Sequence, residues 1–421
     1  MTTPAPIAVA YLTSQYPMLS MSFVLREVLQ LRRTGARVDV ASINRADRLP
    51  QDLTADERME ADRAYHLKAH GLLGAMVAAS WALGRSPSRF VSGLSLALRL
   101  SGIDLRGVAR HIAYFVEALM VGRWMAERGH GHLHVHLGSQ PATVGMLSKR
   151  IFGHGLSVTV HGPDEFFDVE RQHLAAKVAH SDFVCCISHY ARSQLMRVTP
   201  VEHWNRLLVA RLGVDAAHFQ RPPTEAGPTT GPFRIVCIGR LTPAKGQHRL
   251  LDAVARLVRS GRAVRASIVG GGVDRSSLER HAERLGLGAH VSFVGPVTQD
   301  SIRDHYLEAD CFCLPSFAEG IPVVLMEAMA MELPCVTTWV AGIPELIQDG
   351  SNGFLVAPSD VEALADVLGR LVDDVSLRHR IGQRARRTIL DDYDLERNVA
   401  CLQQIFEDRL GRDATASERN G

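Results

Sequence analysis

The chain predicts an α/β protein made of two doubly wound parallel sheets. Three observations carry that expectation. At 421 residues the chain exceeds the length at which one hydrophobic core stops growing. Short apolar runs alternate with stretches of helical periodicity from the start. The alternation breaks once, at Arg221–Pro232 (RPPTEAGPTTGP), a Pro-, Gly- and Thr-rich stretch without periodicity, and then resumes.

Ile7–Ser14 (IAVAYLTS) reads as a buried strand running into a turn. SFVLREVLQLRRTG repeats apolar residues at helical spacing and stops at Gly35, and ARVDVASI is the next strand. This opening βαβ unit implies parallel strands. Residues 63–128 read as a mostly helical insertion. HLHVHL (His132–Leu137), LSVTVHG (Leu156–Gly162) and DFVCCIS (Asp182–Ser188) continue the sheet. After the break, FRIVCIG, RASIVG, VSFVG, CFCLP and PCVTT each lead into a helix-like stretch. The expected division is a first domain over 1–220, a linker over 221–232, a second domain over 233–390, and a closing helical segment over 391–421 that crosses back to the first. In such sheets ligands bind outside the carboxyl ends of strands, so a crevice between the two domains is the expected site.

Bulk composition is that of a folded soluble protein, with 46% hydrophobic and 22% charged residues. A net charge of +2 and no long basic run argue against a nucleic-acid partner. The seven cysteines are odd in number and sit mostly in apolar runs, which suits reduced, buried thiols. The N-terminus lacks signal-peptide features, and the longest apolar run, LLGAMVAASWAL, is too short to span a bilayer. A cytoplasmic location is expected.

Four stretches fall at strand ends. In GRLTPAKG, Arg240 and Lys245 flank a loop that opens a helix, where two cations beside a helix N-terminus suit a pyrophosphate; the bland alternative is two solvated cations. In FAEGIPVVLMEAMA, Glu319 and Glu327 stand eight positions apart in an apolar segment. A buried carboxylate needs a partner, and a ribose diol would suit Glu327; the alternative is a salt bridge or a solvent-facing side chain. Gly320, Ile321, Pro322 and Val323 form the turn into that helix. In VTVHGPDEFF, His161 ends a strand and Asp164 follows, although a lone His is more often structural. In YLTSQYPMLSMSF, Ser20 and Ser22 offer donors to a phosphate or an acceptor, or else cap a helix.

Other patterns weigh less. His132, His134 and His136 share a strand face, yet no neighbouring carboxylate or cysteine in the sequence completes a metal site. Gly270–Gly272 lacks full dinucleotide spacing. Asp392–Asp394 has a DxD form, but its place before the last helix favours capping.

Together these motifs resemble the retaining glycosyltransferases of family 4, of GT-B fold, in their exopolysaccharide or colanic-acid branch. The resemblance rests on AEGIPVVLMEAMA, GRLTPAKG, IVGGGVDRSSLE, AGIPELIQDGSNGFLV and LGVDAAHF. YPMLSMSFVLREVLQLRRTGARVDV and VHGPDEFF point to the branch. It implies transfer of a sugar from a nucleoside-diphosphate sugar, expected to be UDP-linked, to a hydroxyl of a glycan or polyprenyl-diphosphate-linked acceptor, with retention and with no cofactor or required metal. Arg240 and Lys245 would hold the diphosphate, Glu327 the ribose, Glu319 the transferred sugar, and His161 the donor sugar near the reacting carbon. Where the family's first loop reads serine-glutamate-threonine, this chain reads Ser20-Met21-Ser22. A sugar-nucleotide epimerase, a phosphorylase and a non-catalytic scaffold remain alternatives. Residues 67–128 carry eight cations against three acids, which leaves two readings open: peripheral contact with an anionic membrane, or packing helices with a solvated basic rim.

Overall fold

The computed structural model describes residues 7–222 and 231–418. Its first sheet is formed by β1 (Ala8–Gln15), β2 (Arg37–Asn44), β3 (Tyr65–His66), β4 (His132–His136), β5 (Gly155–Val160), β6 (Phe183–Cys186) and β7 (Leu207–Val209). Their order is β3-β2-β1-β4-β5-β6-β7, and every pair is parallel. Helices cover both faces of such a sheet, so β1, β4 and β5 read as continuous buried runs rather than alternating ones. Register aligns Tyr11 with His134 and His134 with Ser157, setting three polar side chains in one row of an apolar sheet.

The second sheet holds β8 (Phe233–Ile238), β9 (Val264–Val269), β10 (Val291–Gly295), β11 (Cys311–Leu314), β12 (Cys335–Thr338) and β13 (Phe354–Val356), in the order β10-β9-β8-β11-β12-β13. It is parallel throughout. Six cysteines are buried in the two sheets and Cys401 is exposed.

By contacts the chain forms two units, Met1–Ala210 with Val399–Gly421, and Arg211–Asn398. The division falls beside Ala210 and Asn398, not within Arg221–Pro232; of that linker, 223–230 lie outside the described residues. Asp394 caps the last helix, Leu395–Glu418, its carboxylate accepting from the Arg397 amide at 3.1 Å. The DxD pattern therefore serves as a helix start. Phe406, further along that helix, sits fully buried in the first unit, its ring 5.1 Å from His134 and 6.0 Å from Phe183.

The insertion is helical as expected, with helices Gly71–Arg85, Pro87–Ser101 and Leu105–Arg128. The third packs as a core helix through Phe115, Ala118, Leu119, Val121, Trp124 and Met125. The first two pack Trp81, Phe90, Leu94, Leu96 and Leu100 against the core and carry a second apolar face outward. They bury small residues, Ala78, Ala82, Gly93 and Ala97, and expose large ones, Leu72 at 76% and Leu73 at 69%, with Met76, Val77, Leu83, Val91 and Leu98. Among the described residues no helix is long and apolar enough to cross a membrane.

Candidate active site

In the second unit the site is two loops held together. After β8 the chain passes through Arg240, which is exposed, to the turn Pro243–Lys245 and the helix Gln247–Arg259. Gly246 lies at φ +63°, and a Cβ there would come within 2.1 Å of the Pro315 carbonyl oxygen. Glycine therefore lets this loop touch the segment after β11. The Phe317 and Ala318 amides then donate to the Ala244 carbonyl at 2.8 and 3.3 Å.

That contact brings Lys245 to Glu319. The Lys245 Nζ lies 2.6 Å from Glu319 Oε1, and the Ser316 hydroxyl donates to the same oxygen at 2.7 Å. Glu319 is only 5% exposed, so this is a buried carboxylate with its cation and a neutral donor in place. The sequence separates the roles of Lys245 and Glu319; the fold pairs them.

Gly320 and Ile321 lead to Pro322, which occupies the N-cap of Val323–Ala330. Glu327 lies within that helix at 1% exposure. It has a protein partner, since the Tyr306 hydroxyl lies 3.0 Å from Glu327 Oε2 and 3.1 Å from the Val324 carbonyl. One phenolic proton serves both acceptors. Gly270 also has a local explanation, because a Cβ there would meet the Gly239 carbonyl oxygen at 2.0 Å. The Gly270–Gly272 run thus fits the backbone of the Arg240 loop.

In the first unit His161 follows β5, and Glu165 shapes the turn after it. One Glu165 oxygen accepts from the His161 and Gly162 amides at 2.5 and 2.8 Å, and the other accepts from the Gly138 amide. Burial pushes the Glu165 carboxyl up, and the three amides pull it back. Lys177 donates to the Gly138 and Ser139 carbonyls at 2.6 and 2.8 Å, and burial lowers its amine to about 7. Asp164, which the sequence singles out, is exposed, whereas Glu165, which it passes over, holds the turn. The signal was present: Glu165 stands three residues after Gly162, the spacing of a helix-capping carboxylate.

Ser20 is exposed within the short helix Leu19–Met21, and Ser22 is buried at the start of Ser22–Arg33. Met21 takes the N-cap position, so neither serine is the cap. Phe23 follows them and sets its ring 4.8 Å from that of His161.

The histidine strand has the carboxylate that sequence reasoning found missing. Glu27, from Ser22–Arg33, lies with His134 and His136 so that one ligand atom of each falls within 4.8 Å of the others. Each is already hydrogen-bonded. His134 uses Nδ1 on Ser157 Oγ at 2.8 Å and Nε2 on Thr159 Oγ1 at 2.9 Å, and His136 Nε2 meets Glu27 Oε1 at 3.0 Å. Glu27 shares the helix face of Val24, Val28 and Leu31, so its burial was legible from spacing. Burial holds the His134 and His161 imidazoles well below the usual histidine range, which keeps them neutral.

Residues 223–388 match the family model described as glycosyl transferases group 1. A GDP-mannose-dependent alpha-(1-6)-phosphatidylinositol monomannoside mannosyltransferase of Mycolicibacterium smegmatis is 28% identical over 288 residues, 64% of this chain and 74% of that protein. WcaL of Escherichia coli K12, whose name refers it to colanic acid biosynthesis as a glycosyltransferase, is 31% identical over 264 residues, 60% of this chain and 63% of that one. The amylovoran biosynthesis glycosyltransferase AmsK of Erwinia amylovora is 28% identical over 380 residues, covering 86% and 89%. Among solved structures, a sucrose-phosphate synthase from Thermosynechococcus elongatus superimposes with a TM-score of 0.76 at 18% identity, covering 96% of this chain and 100% of that one. Anabaena Alr3699/HepE in complex with UDP gives 0.70 at 18% identity, with the same coverage. Residues 223–388 thus resemble the group 1 glycosyl transferases, and the chain has the GT-B fold of two parallel-sheet α/β units.

Proposed function

We propose that the chain transfers a sugar, with retention, from a UDP-linked donor to a hydroxyl of a glycan or lipid-linked oligosaccharide in bacterial exopolysaccharide synthesis. The observation that carries this reading is the joined pair of loops in the second unit, where Lys245, Ser316 and Glu319 converge and the Lys245 loop also carries Arg240. The names of WcaL and AmsK support the exopolysaccharide setting, and the UDP in the HepE structure supports the donor.

In the proposed reaction Arg240 and Lys245 hold the diphosphate, and Lys245 shares its charge between that anion and Glu319. Glu319 and the turn Gly320–Val323 contact the transferred sugar, while Glu327, fixed by Tyr306, takes the ribose diol. His161 and Asp164 are proposed for the donor sugar, and Ser20 and Ser22 for the phosphate or the acceptor. The acceptor oxygen bonds to the anomeric carbon as the bond to the diphosphate breaks. The departing phosphate takes the acceptor's proton and the bonding pair, and the two cations stabilise the growing charge. This scheme requires no metal. Product NMR tests it: an anomeric coupling matching the donor's supports retention, and the opposite anomer rejects it.

The acceptor side of the reading includes a membrane. Helices Gly71–Arg85 and Pro87–Ser101 turn Leu72, Leu73, Met76, Val91 and Leu98 outward. Residues 71–110 carry Arg85, Arg89, Arg99, Arg106 and Arg110, all exposed, and a single acid, Asp104. Exposed leucines rimmed by arginine suit the interface of anionic lipid. The chain should float with phosphatidylglycerol vesicles at low salt, and Leu72→Ser/Leu73→Ser should stay behind. Equal flotation of both, or none, leaves these helices as packing elements.

A further inference from the structure

A hydrogen-bonded chain runs through the first unit from Tyr11 to His161. The Tyr11 hydroxyl donates to Glu27 Oε1 at 2.7 Å. His136 Nε2 lies 3.0 Å from the same oxygen, and His136 Nδ1 lies 3.0 Å from His161 Nε2. His161 Nδ1 is shielded from solvent and has no partner. Tyr11 and His136 are fully buried, and Glu27 nearly so.

Proton placement follows from chemistry. A carboxylate only accepts, so His136 Nε2 carries the proton that faces Glu27. With that as its one ring proton, His136 presents a bare Nδ1, which accepts from His161 Nε2–H. With Nε2 protonated, a neutral His161 has its lone pair on Nδ1. We infer that Glu27 and His136 are positioning residues that fix His161 in the Nε2–H tautomer, so that Nδ1 accepts a hydrogen bond from a hydroxyl of the bound sugar. This deepens the donor reading above and rests on it for the identity of the hydroxyl.

The arrangement also explains why so costly a cluster lies in the sheet. Burial keeps His161 neutral, which its role as acceptor requires. Glu165 fixes the backbone of His161, Phe23 packs against its ring at 4.8 Å, and the His136 ring lies 5.2 Å away. Only the tautomer is then left to set, and a His–carboxylate pair sets it as outer partners orient a metal-bound imidazole. A bound metal at Glu27, His134 and His136 would need these hydrogen bonds broken.

Nitrogen-15 NMR of the histidine-labelled full-length chain tests the inference without substrate. The wild type should show His161 protonated on Nε2 and bare on Nδ1. His136→Asn, whose side-chain oxygen can stand in for Nδ1, should keep that tautomer; His136→Phe should release it. Should His136→Phe fail to fold, Glu27→Leu is the second variant and should likewise mix the tautomers. With UDP-glucose as probe, His161 Nδ1 should shift, and UDP alone should leave it unmoved. His136→Phe should weaken UDP-glucose about tenfold and UDP hardly at all, as expected for one hydrogen bond to the sugar. A wild-type Nδ1–H signal, or an unchanged tautomer in the foldable variants, overturns the inference. So does zinc added alone that binds at micromolar concentration and shifts the His134 and His136 nitrogens together. The tautomer is read without a ligand, so failure of UDP-glucose to bind would count against the donor reading and not against the chain of hydrogen bonds.

Discussion

Replacing Lys245 with methionine should destabilise the second unit as well as impair phosphate binding. Glu319 Oε1 takes two donors, Lys245 Nζ at 2.6 Å and Ser316 Oγ at 2.7 Å, with the Glu319 side chain 6% exposed and that of Lys245 17%. Breaking a fully buried pair by removing one partner costs about 3–5 kcal/mol. The exposure of Lys245 and the surviving Ser316 bond reduce this to about 2–3 kcal/mol. For a unit of this size, that lowers the melting temperature by about 5–10 °C. Glu319→Gln in the Lys245→Met background removes the stranded charge, so the double variant should recover about 1–2 kcal/mol relative to the sum of the singles. Arg240→Ala, at an exposed position, should stay within about 0.5 kcal/mol of wild type and so report on turnover alone. Urea and thermal unfolding of the full chain measure all four. Singles that simply add in the double, or a Lys245→Met protein as stable as wild type, would show that the pair is not coupled.

Two further outcomes follow from buried groups. Glu327→Gln keeps the shape of the side chain and a hydrogen bond to Tyr306, yet should weaken UDP binding about 10- to 100-fold, the range for a charge-assisted bond to a diol; an unchanged Kd by calorimetry removes the ribose role. Burial lowers His132 to about 3 and His154 to about 4, while both sit near 6.5 in an unfolded chain. The unfolded state therefore binds more protons between pH 6.5 and those values, and stability must fall as pH falls through that window. Each site contributes about 1.4 kcal/mol per pH unit there, and His132→Phe should make the acid limb shallower by that amount; a limb of unchanged slope counters the assignment.

Much of the fold was legible because strands buried on two faces must be apolar throughout. Ten of the runs read from sequence are strands in the two sheets. β3, β7 and β13 were not legible: they are two or three residues long and lie at sheet edges, too short for any periodicity to register. Composition marks Arg221–Pro232, whereas contacts divide the chain beside Ala210, because Leu212, Val214, Ala216 and Phe219 are buried and Val214 bridges to Asp394, which ties this segment to the second unit. At the site, strand-end position pointed to Arg240, Lys245, His161 and Glu319 one by one. Which of them meet was hidden. The Lys245–Glu319 bond spans 74 residues and the Glu27–His136 bond 109, and local sequence cannot report contacts at that range. The helical insertion misled in a subtler way. Trp81, Phe90, Leu94, Leu96 and Leu100 of the first two helices pack against the core while Leu72, Leu73, Val91 and Leu98 face outward, which the run of apolar letters does not distinguish.

Release of diphosphate is the reading that bears most closely on glycosyl transfer. The full-length chain, incubated with a panel of UDP- and GDP-sugars, an extracted lipid-linked oligosaccharide acceptor, and chelator, should release UDP from one donor in an acceptor-dependent manner. Arg240→Ala should depress that release about 100-fold or more, the scale for losing one preorganised charge in the transition state. No diphosphate from any donor, conversion of the donor to an epimer without release, or release that persists at wild-type rate in Arg240→Ala would contradict transfer on these loops.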